Sequence, residues 1–198
     1  MKLRGKMPAC GERRILGLSL LAALILGFPC FAASAEISGP ELRLTDGDIF
    51  VSGALRIDEA QVNDLNNGIS KKIIFYIDTF RVWKKWPDEF IIGKTLTRTL
   101  KCDPVKKEYI ATSFDGETLL KKRFSGCKPL MDWALEVRDL KLASLRELEQ
   151  AEYFVRLGAE SRLIELPPVI NYLLFFVREK EFSISRDSKA FPAGEFKR

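Results

Sequence analysis

Chemistry near neutral pH is most often carried by histidine, cysteine, carboxylates or a metal that they hold, and this chain of 198 residues contains no histidine. A Ser-His-Asp triad, a Cys-His dyad and the histidine-containing zinc sites are therefore excluded. Beyond residue 35 only Cys102 and Cys127 remain, too few for a structural zinc or an iron–sulfur cluster within one chain. No phosphate-cradling loop of the Walker or dinucleotide type occurs. Carboxylates are what is left. Asp78 lies inside IIFYIDTFRV on the parity of Tyr76 and Phe80, where an ionised group needs a partner or takes a raised pKa. That position suits a catalytic acid; the commoner outcome is a pair with an arginine on a neighbouring strand. Asp46-Gly47-Asp48 resembles part of a calcium loop without its twelve-residue pattern and closing glutamate, so it reads as a turn between strands. No metal, cofactor or catalytic residue is expected.

The most suggestive surface feature is Trp83-Lys84-Lys85-Trp86-Pro87. One reading is a strand end whose lysines discourage edge-to-edge pairing, with alternation sending the tryptophans to opposite faces until Pro87 ends the strand. The other is a contact for anionic lipid headgroups or a partner protein, because Trp and Lys together suit interfaces.

These residues must be positioned mainly by strands. Leu42 and Leu44 alternate with Glu41, Arg43 and Thr45; Ile49, Val51, Leu55 and Ile57 share one parity; Leu96 and Leu100 face away from Thr95, Thr97 and Thr99. The run KKIIFYIDTFRVWKKW is apolar on both parities, as in a central strand covered on both sides. Residues 105–114 and 117–124 flank Asp115-Gly116 as a hairpin. Residues 152–166 form a late strand entered by Tyr153, placed as in a tyrosine corner. Helical spacing occurs in three places: residues 58–67, begun by Asp58 and stopped by Asn67-Gly68; PLMDWALEV, with Pro129 as first helical residue; and LPPVINYLLFFVREKEF, residues 166–182. In the last, Phe175 alone among the apolar residues falls on the polar side. Its apolar run of about nine residues is too short to span hydrocarbon and is expected to lie on a protein core, a partner or a membrane surface. The fold class predicted is mainly β: an antiparallel sandwich, immunoglobulin-like or a curved sheet, with two or three short packed helices.

The chain opens as a secretory leader. Lys2, Arg4, Lys6, Arg13 and Arg14 precede an apolar run of about 14 residues, and Ala33-Ser34-Ala35 supplies small residues for cleavage after Ala35. An uncleaved membrane anchor is the lesser alternative, since the run is shorter than a spanning helix. Without the leader the chain carries 27 basic and 26 acidic side chains, so its basic character resides largely in residues 1–35. A nucleic-acid partner, which needs surplus cations on the folded domain, is not expected. Residues 36–182 then make one β-rich domain, and residues 183–198 a polar tail that frays. In an oxidising compartment Cys102 and Cys127 are candidates for a disulfide if Cys127 folds across the end of the intervening strand; two free thiols are the alternative.

The leader, LRLTDGDIFVSGAL, QVNDLNNGISKKIIFYIDTFRVWKKW, YIATSFDG, PLMDWALEV and AEYFVRLGAESRLIELPPVINYLLFF together resemble a bacterial family known as domain of unknown function 4390. The resemblance implies an exported, periplasmic protein and brings no catalytic residues with it. The expected function is a non-enzymatic interaction or scaffold module of the cell envelope that contacts an envelope or inner-membrane protein, or the membrane periphery. The alternatives are a periplasmic carrier of a lipid or other apolar ligand and, third, a carboxylate-dependent enzyme built on Asp78.

Overall fold

The computed structural model of the chain describes residues 35–163 and 180–193. Ten strands and two short helices follow one another as β1 (Ala35–Thr45), β2 (Asp48–Ile57), α1 (Glu59–Asn66), β3 (Lys71–Arg81), β4 (Glu89–Asp103), β5 (Glu108–Phe114), β6 (Leu119–Phe124), α2 (Cys127–Ala134), β7 (Glu136–Ser144), β8 (Ala151–Leu163), β9 (Lys180–Asp187) and β10 (Phe191–Ala193). A three-stranded sheet, β1-β2-β7, packs on a seven-stranded one ordered β10-β8-β3-β4-β5-β6, with β9 also on β8. All pairings are antiparallel. The fold is mainly β and sandwich-like. The run β3-β4-β5-β6 is a meander of successive neighbours within one sheet, unlike the sheet-crossing order of an immunoglobulin domain.

Local chemistry explains the turns. Thr45 pairs with Asp48 across Asp46 (φ 55) and Gly47 (φ 79), the two positive angles of a type I′ hairpin, whose twist matches that of its strands. Asp48 then pairs with Lys141 Nζ at 2.5 Å, so the Asp-Gly-Asp segment is a turn tied to β7. In α1, Asp58 Oδ1 accepts from Gln61 N at 2.9 Å, and Gly68 takes φ 92 just past the end, the cap and stop expected. Helix α2 begins at Cys127, two residues before Pro129.

Strand β3 is flanked by β4 and β8 along its whole length, and it carries apolar residues on both parities, with Ile74 also buried on the outer one. Its inner residues Ile73, Phe75 and Ile77 join Ile49, Val51, Val137, Val155 and Leu157 in one core between the sheets. The approach is close: a methyl group on Gly53 would sit 2.5 Å from Leu157 Cδ2. Tyr153 is buried, and its hydroxyl donates to Glu149 O at 3.1 Å, the reach of a tyrosine corner.

Four sequence expectations change. Residues 183–187 do not fray but continue β9, and residues 191–193 form β10. Ser188 bridges the two, its N–H donating to Val155 O (2.8 Å) and its Oγ accepting from Val155 N (3.0 Å). Cys102 and Cys127 are unjoined thiols. Cys102 Sγ is directed instead at Asn66 O, 3.9 Å away, and burial followed by the neighbouring Cys102 pushes the Cys127 thiol pKa up. The strand through Asp78 ends at Arg81, six residues before Pro87. Residues 136–144 form β7, although the helical spacing of PLMDWALEV took in 136 and 137 and residues 138–144 were expected in no helix or strand. The helix expected in residues 166–182, with Phe175, lies outside the described residues apart from its final positions, which open β9. Ala35, the expected cleavage position, is the first residue of β1 and pairs with Ile57.

One buried cation ties these elements together. Lys71 Nζ, with 1% of its side chain exposed, contacts Glu181 Oε1 at 2.5 Å and Asp64 Oδ2 at 3.3 Å, while Ser161 Oγ donates to Glu181 Oε2 at 2.6 Å. Strands β3, β8, β9 and helix α1 meet there. Removing one partner of a buried pair strands the other's charge. Lys71→Ala is therefore expected to reduce unfolding free energy by about 3 kcal/mol or more, read as a lower urea midpoint. Lys128→Ala, whose partner Asp132 is exposed, should leave that midpoint unchanged.

Candidate functional site

The outer face of the large sheet carries an aromatic ladder across three strands. Phe80 on β3 pairs with Phe90 on β4 and with Phe154 on β8. Its ring stacks on Phe154 at 5.3 Å and meets Phe90 edge-on at 5.9 Å. Plain alternation would turn Phe90 inward relative to Gly93. A register shift between Thr79 and Phe80 leaves Ile91 without a partner and swings Phe90 back to the outer face.

Arg156, opposite Asp78, lies above this ladder, 4.9 Å from the Phe80 ring centre and 5.5 Å from that of Phe154. Its guanidinium is held in a two-pronged pair with Asp187, Nε to Oδ1 at 2.7 Å and Nη2 to Oδ2 at 2.9 Å. Asp78 Oδ1 occupies the space left by a missing side chain, since a methyl group on Gly93 would sit 2.2 Å from it. One arginine thus faces two carboxylates whose pKa values are moved in opposite directions. Burial raises the Asp78 pKa despite the opposing charge of Arg156. The hydrogen bonds from Arg156 hold that of Asp187 low. The arginine partner expected for Asp78 on a neighbouring strand is Arg156, acting through its charge.

Beyond the ladder, residues 82–88 form a loop in which the chain leaves the sheet. Trp83 N donates to Asp88 Oδ1 (3.3 Å) and its Nε1 to Glu89 Oε2 (3.2 Å), while Arg81 lies over the indole at 4.7 Å. Trp86 is 76% exposed, Phe90 56% and Trp83 42%. Lys84 and Lys85 are exposed and make no ion pair among the described residues. The two tryptophans therefore belong to one loop, not to two faces of a strand. The structure places Trp83, Lys84, Lys85 and Trp86 together in the loop that joins β3 to β4, and Asp78 three residues before the end of β3. It places Cys102 and Cys127 elsewhere, against α1.

Sequence reasoning missed Phe90, Phe154, Arg156 and Asp187. Only strand register unites them, and β3 pairs with β8 across a separation of some 70 residues in the chain. A faint signal was present in Phe154 and Arg156, which share one parity.

No group of three or more His, Cys, Asp or Glu side chains among the described residues is arranged to hold a metal. No helix among them is long and apolar enough to cross a membrane. Fold and surface together define an antiparallel β-sandwich domain with exposed aromatic and cationic side chains where β3 turns into β4. The chain belongs to the family described as Domain of unknown function (DUF4390), whose model matches residues 32–189. No curated protein and no solved structure matches it.

The state of Asp78 has a measurable consequence. Because its folded pKa lies above 3.8, the folded protein holds that proton more tightly and loses stability as pH rises through 3.8 and the interval above. At neutral pH the ionised group is a net cost. Asp78→Asn should raise the melting temperature at pH 7, and the gain should vanish below about pH 3.8, as followed by circular dichroism.

Proposed function

We propose that this protein is a non-enzymatic interaction module of the bacterial cell envelope, exported by residues 1–35 and working in the periplasm, where it docks a partner protein through the face built on Phe80, Phe90, Trp83 and Trp86. The observation that carries this reading is the exposure of Trp83 and Trp86 in the loop joining β3 to β4 and of Phe90 at the start of β4, beside Lys84 and Lys85, which make no ion pair among the described residues. Tryptophan and arginine dominate the energetics of protein interfaces, and Arg81 and Arg156 are both already stacked on aromatic rings here. The free lysines favour a partner surface with an acidic rim. Cleavage after Ala35 leaves Glu36 onward to complete β1.

The carrier reading needs room between the sheets for an apolar ligand, and the Gly53–Leu157 approach leaves none at that point. An enzyme reading rests on Asp78 and Asp187, whose arginine is already committed to Asp187. Both are weaker than the docking reading.

In intact cells, a photo-crosslinking side chain at Lys84 or Lys85 is expected to capture one discrete envelope protein. Combining Trp86→Ala with Phe90→Ala should weaken that interaction about tenfold or more while the melting temperature stays unchanged. Diffuse adducts, insensitive to both substitutions, would sink the reading. Lipid adducts in place of protein would point to membrane contact.

A further inference from the structure

A recess lies away from the aromatic ladder, where the end of α2 meets the inner face of β4. It is a cleft of about 380 Å³ lined by Arg98, Pro129, Asp132, Trp133, Glu136 and Arg138. Arg98 is only 7% exposed. Its Nη1 donates to the carbonyls of Trp133 (2.7 Å), Ala134 (2.9 Å) and Glu136 (2.6 Å), which fixes the guanidinium in place. Its Nε is buried and donates to nothing among the described residues. A buried donor without an acceptor costs free energy, so this edge of the group is left to something the protein does not itself supply.

The charges around the cleft show what that is. Asp132 is paired with Lys128 at 3.1 Å and Glu136 with Arg138 at 2.5 Å, so the acids on the rim are already matched by cations. Among the described residues Arg98 has only carbonyl oxygens as hydrogen-bond acceptors, and its charge meets no direct ion pair. Burial lowers its pKa to about 10, which still leaves it cationic at neutral pH. The indole of Trp133 lies against it at 4.7 Å and is covered on its own account by Lys122 at 5.0 Å. We propose that this cleft binds a carboxylate on the Nε side of Arg98, with Trp133 and Pro129 as the apolar wall for the group that carries it. The Nε edge of a guanidinium matches the spacing of two carboxylate oxygens, and the volume is at the small end of ligand sites, suited to a single amino-acid-sized acid or the last residue of a peptide.

The test is a titration of the intact ¹⁵N-labelled chain with N-acetylphenylalanine, followed at the Arg98 Nε–H resonance by NMR. A saturable downfield shift is expected, absent with N-acetylphenylalaninamide and with sodium chloride at equal ionic strength. Trp133 fluorescence, isolated by Trp83→Phe and Trp86→Phe, should change over the same concentration range. Acetate should act more weakly, because it lacks the apolar part; N-acetylalanine bearing a free carboxylate should fall between. Arg98→Lys keeps a charge but loses the two-donor edge and should abolish the response; if that variant does not fold, the titration of the unmodified chain decides alone. No shift, or one reproduced by the amide or by chloride, would mean that water alone occupies the Nε side and would overturn the proposal. Neither result bears on the docking site, which is built on Phe90 and the loop of residues 82–88 and shares no residue with this cleft.

Discussion

The guanidinium of Arg98 is the interaction on which the connection between the two sheets depends. After β6 the chain must leave the large sheet, and it does so through α2 before entering the small sheet as β7. A helix that ends inside a protein leaves its last carbonyls without partners, and a cation at that end also matches the helix dipole. Arg98 supplies both, from a strand of the sheet being left. Leu55 N on β2 donates to Leu135 O at 2.8 Å, so the same crossover is bonded from the small sheet as well. Phe75 and Trp133 flank the arginine, and Leu130 and Ala134 of α2 are buried in the shared core. A neutral residue at position 98 would leave several buried carbonyls unsatisfied at once, which is costlier than the loss of one surface ion pair.

Much of this architecture was legible because its signals are local. The cap at Asp58, the Asp46-Gly47 turn and the two-sided apolar character of β3 each rest on a few neighbouring residues. The elements that were misread depend on distant partners. In β7, Asp139 adopts φ 43 and two register shifts interrupt its pairing with β2, so Val137 and Leu142 are buried on opposite parities and the alternation that marks a strand is lost. In β9, Phe182 and Ile184 do alternate with serines, but the polar residues around them hide a strand whose stability comes from β8 and from Lys71. The thiols show a different limit: spacing established that Cys102 and Cys127 lie at the same end of the hairpin, and not that Cys102 is turned toward Asn66.

The candidate site was half visible. Asp78 and the Trp-Lys-Lys-Trp loop stand out by residue type alone, a carboxylate among apolar residues and aromatics beside free charges. Their partners do not. Arg156 is an ordinary arginine in an ordinary strand until the β3–β8 register sets it opposite Asp78, and Phe90 reaches the outer face only through the irregularity at Ile91. A single extra residue in β4 therefore decides whether the surface shows an aromatic ladder or buries one of its rungs.

The ends of the domain meet. Arg186 on β9 donates to Ile37 O on β1 at 3.0 Å, joining residues 149 positions apart, and β8 is enclosed only when β9 and β10 have been laid along its outer edge. Contacts of such long range form slowly and demand that both segments be present. A nascent chain would hold an open edge on β8 until β9 and β10 emerge, and during that interval its exposed backbone is available to other strands. Completion of this sandwich thus waits on residues 180–193, and a chaperone that shields the edge of β8 would have its greatest effect until that segment has been laid down.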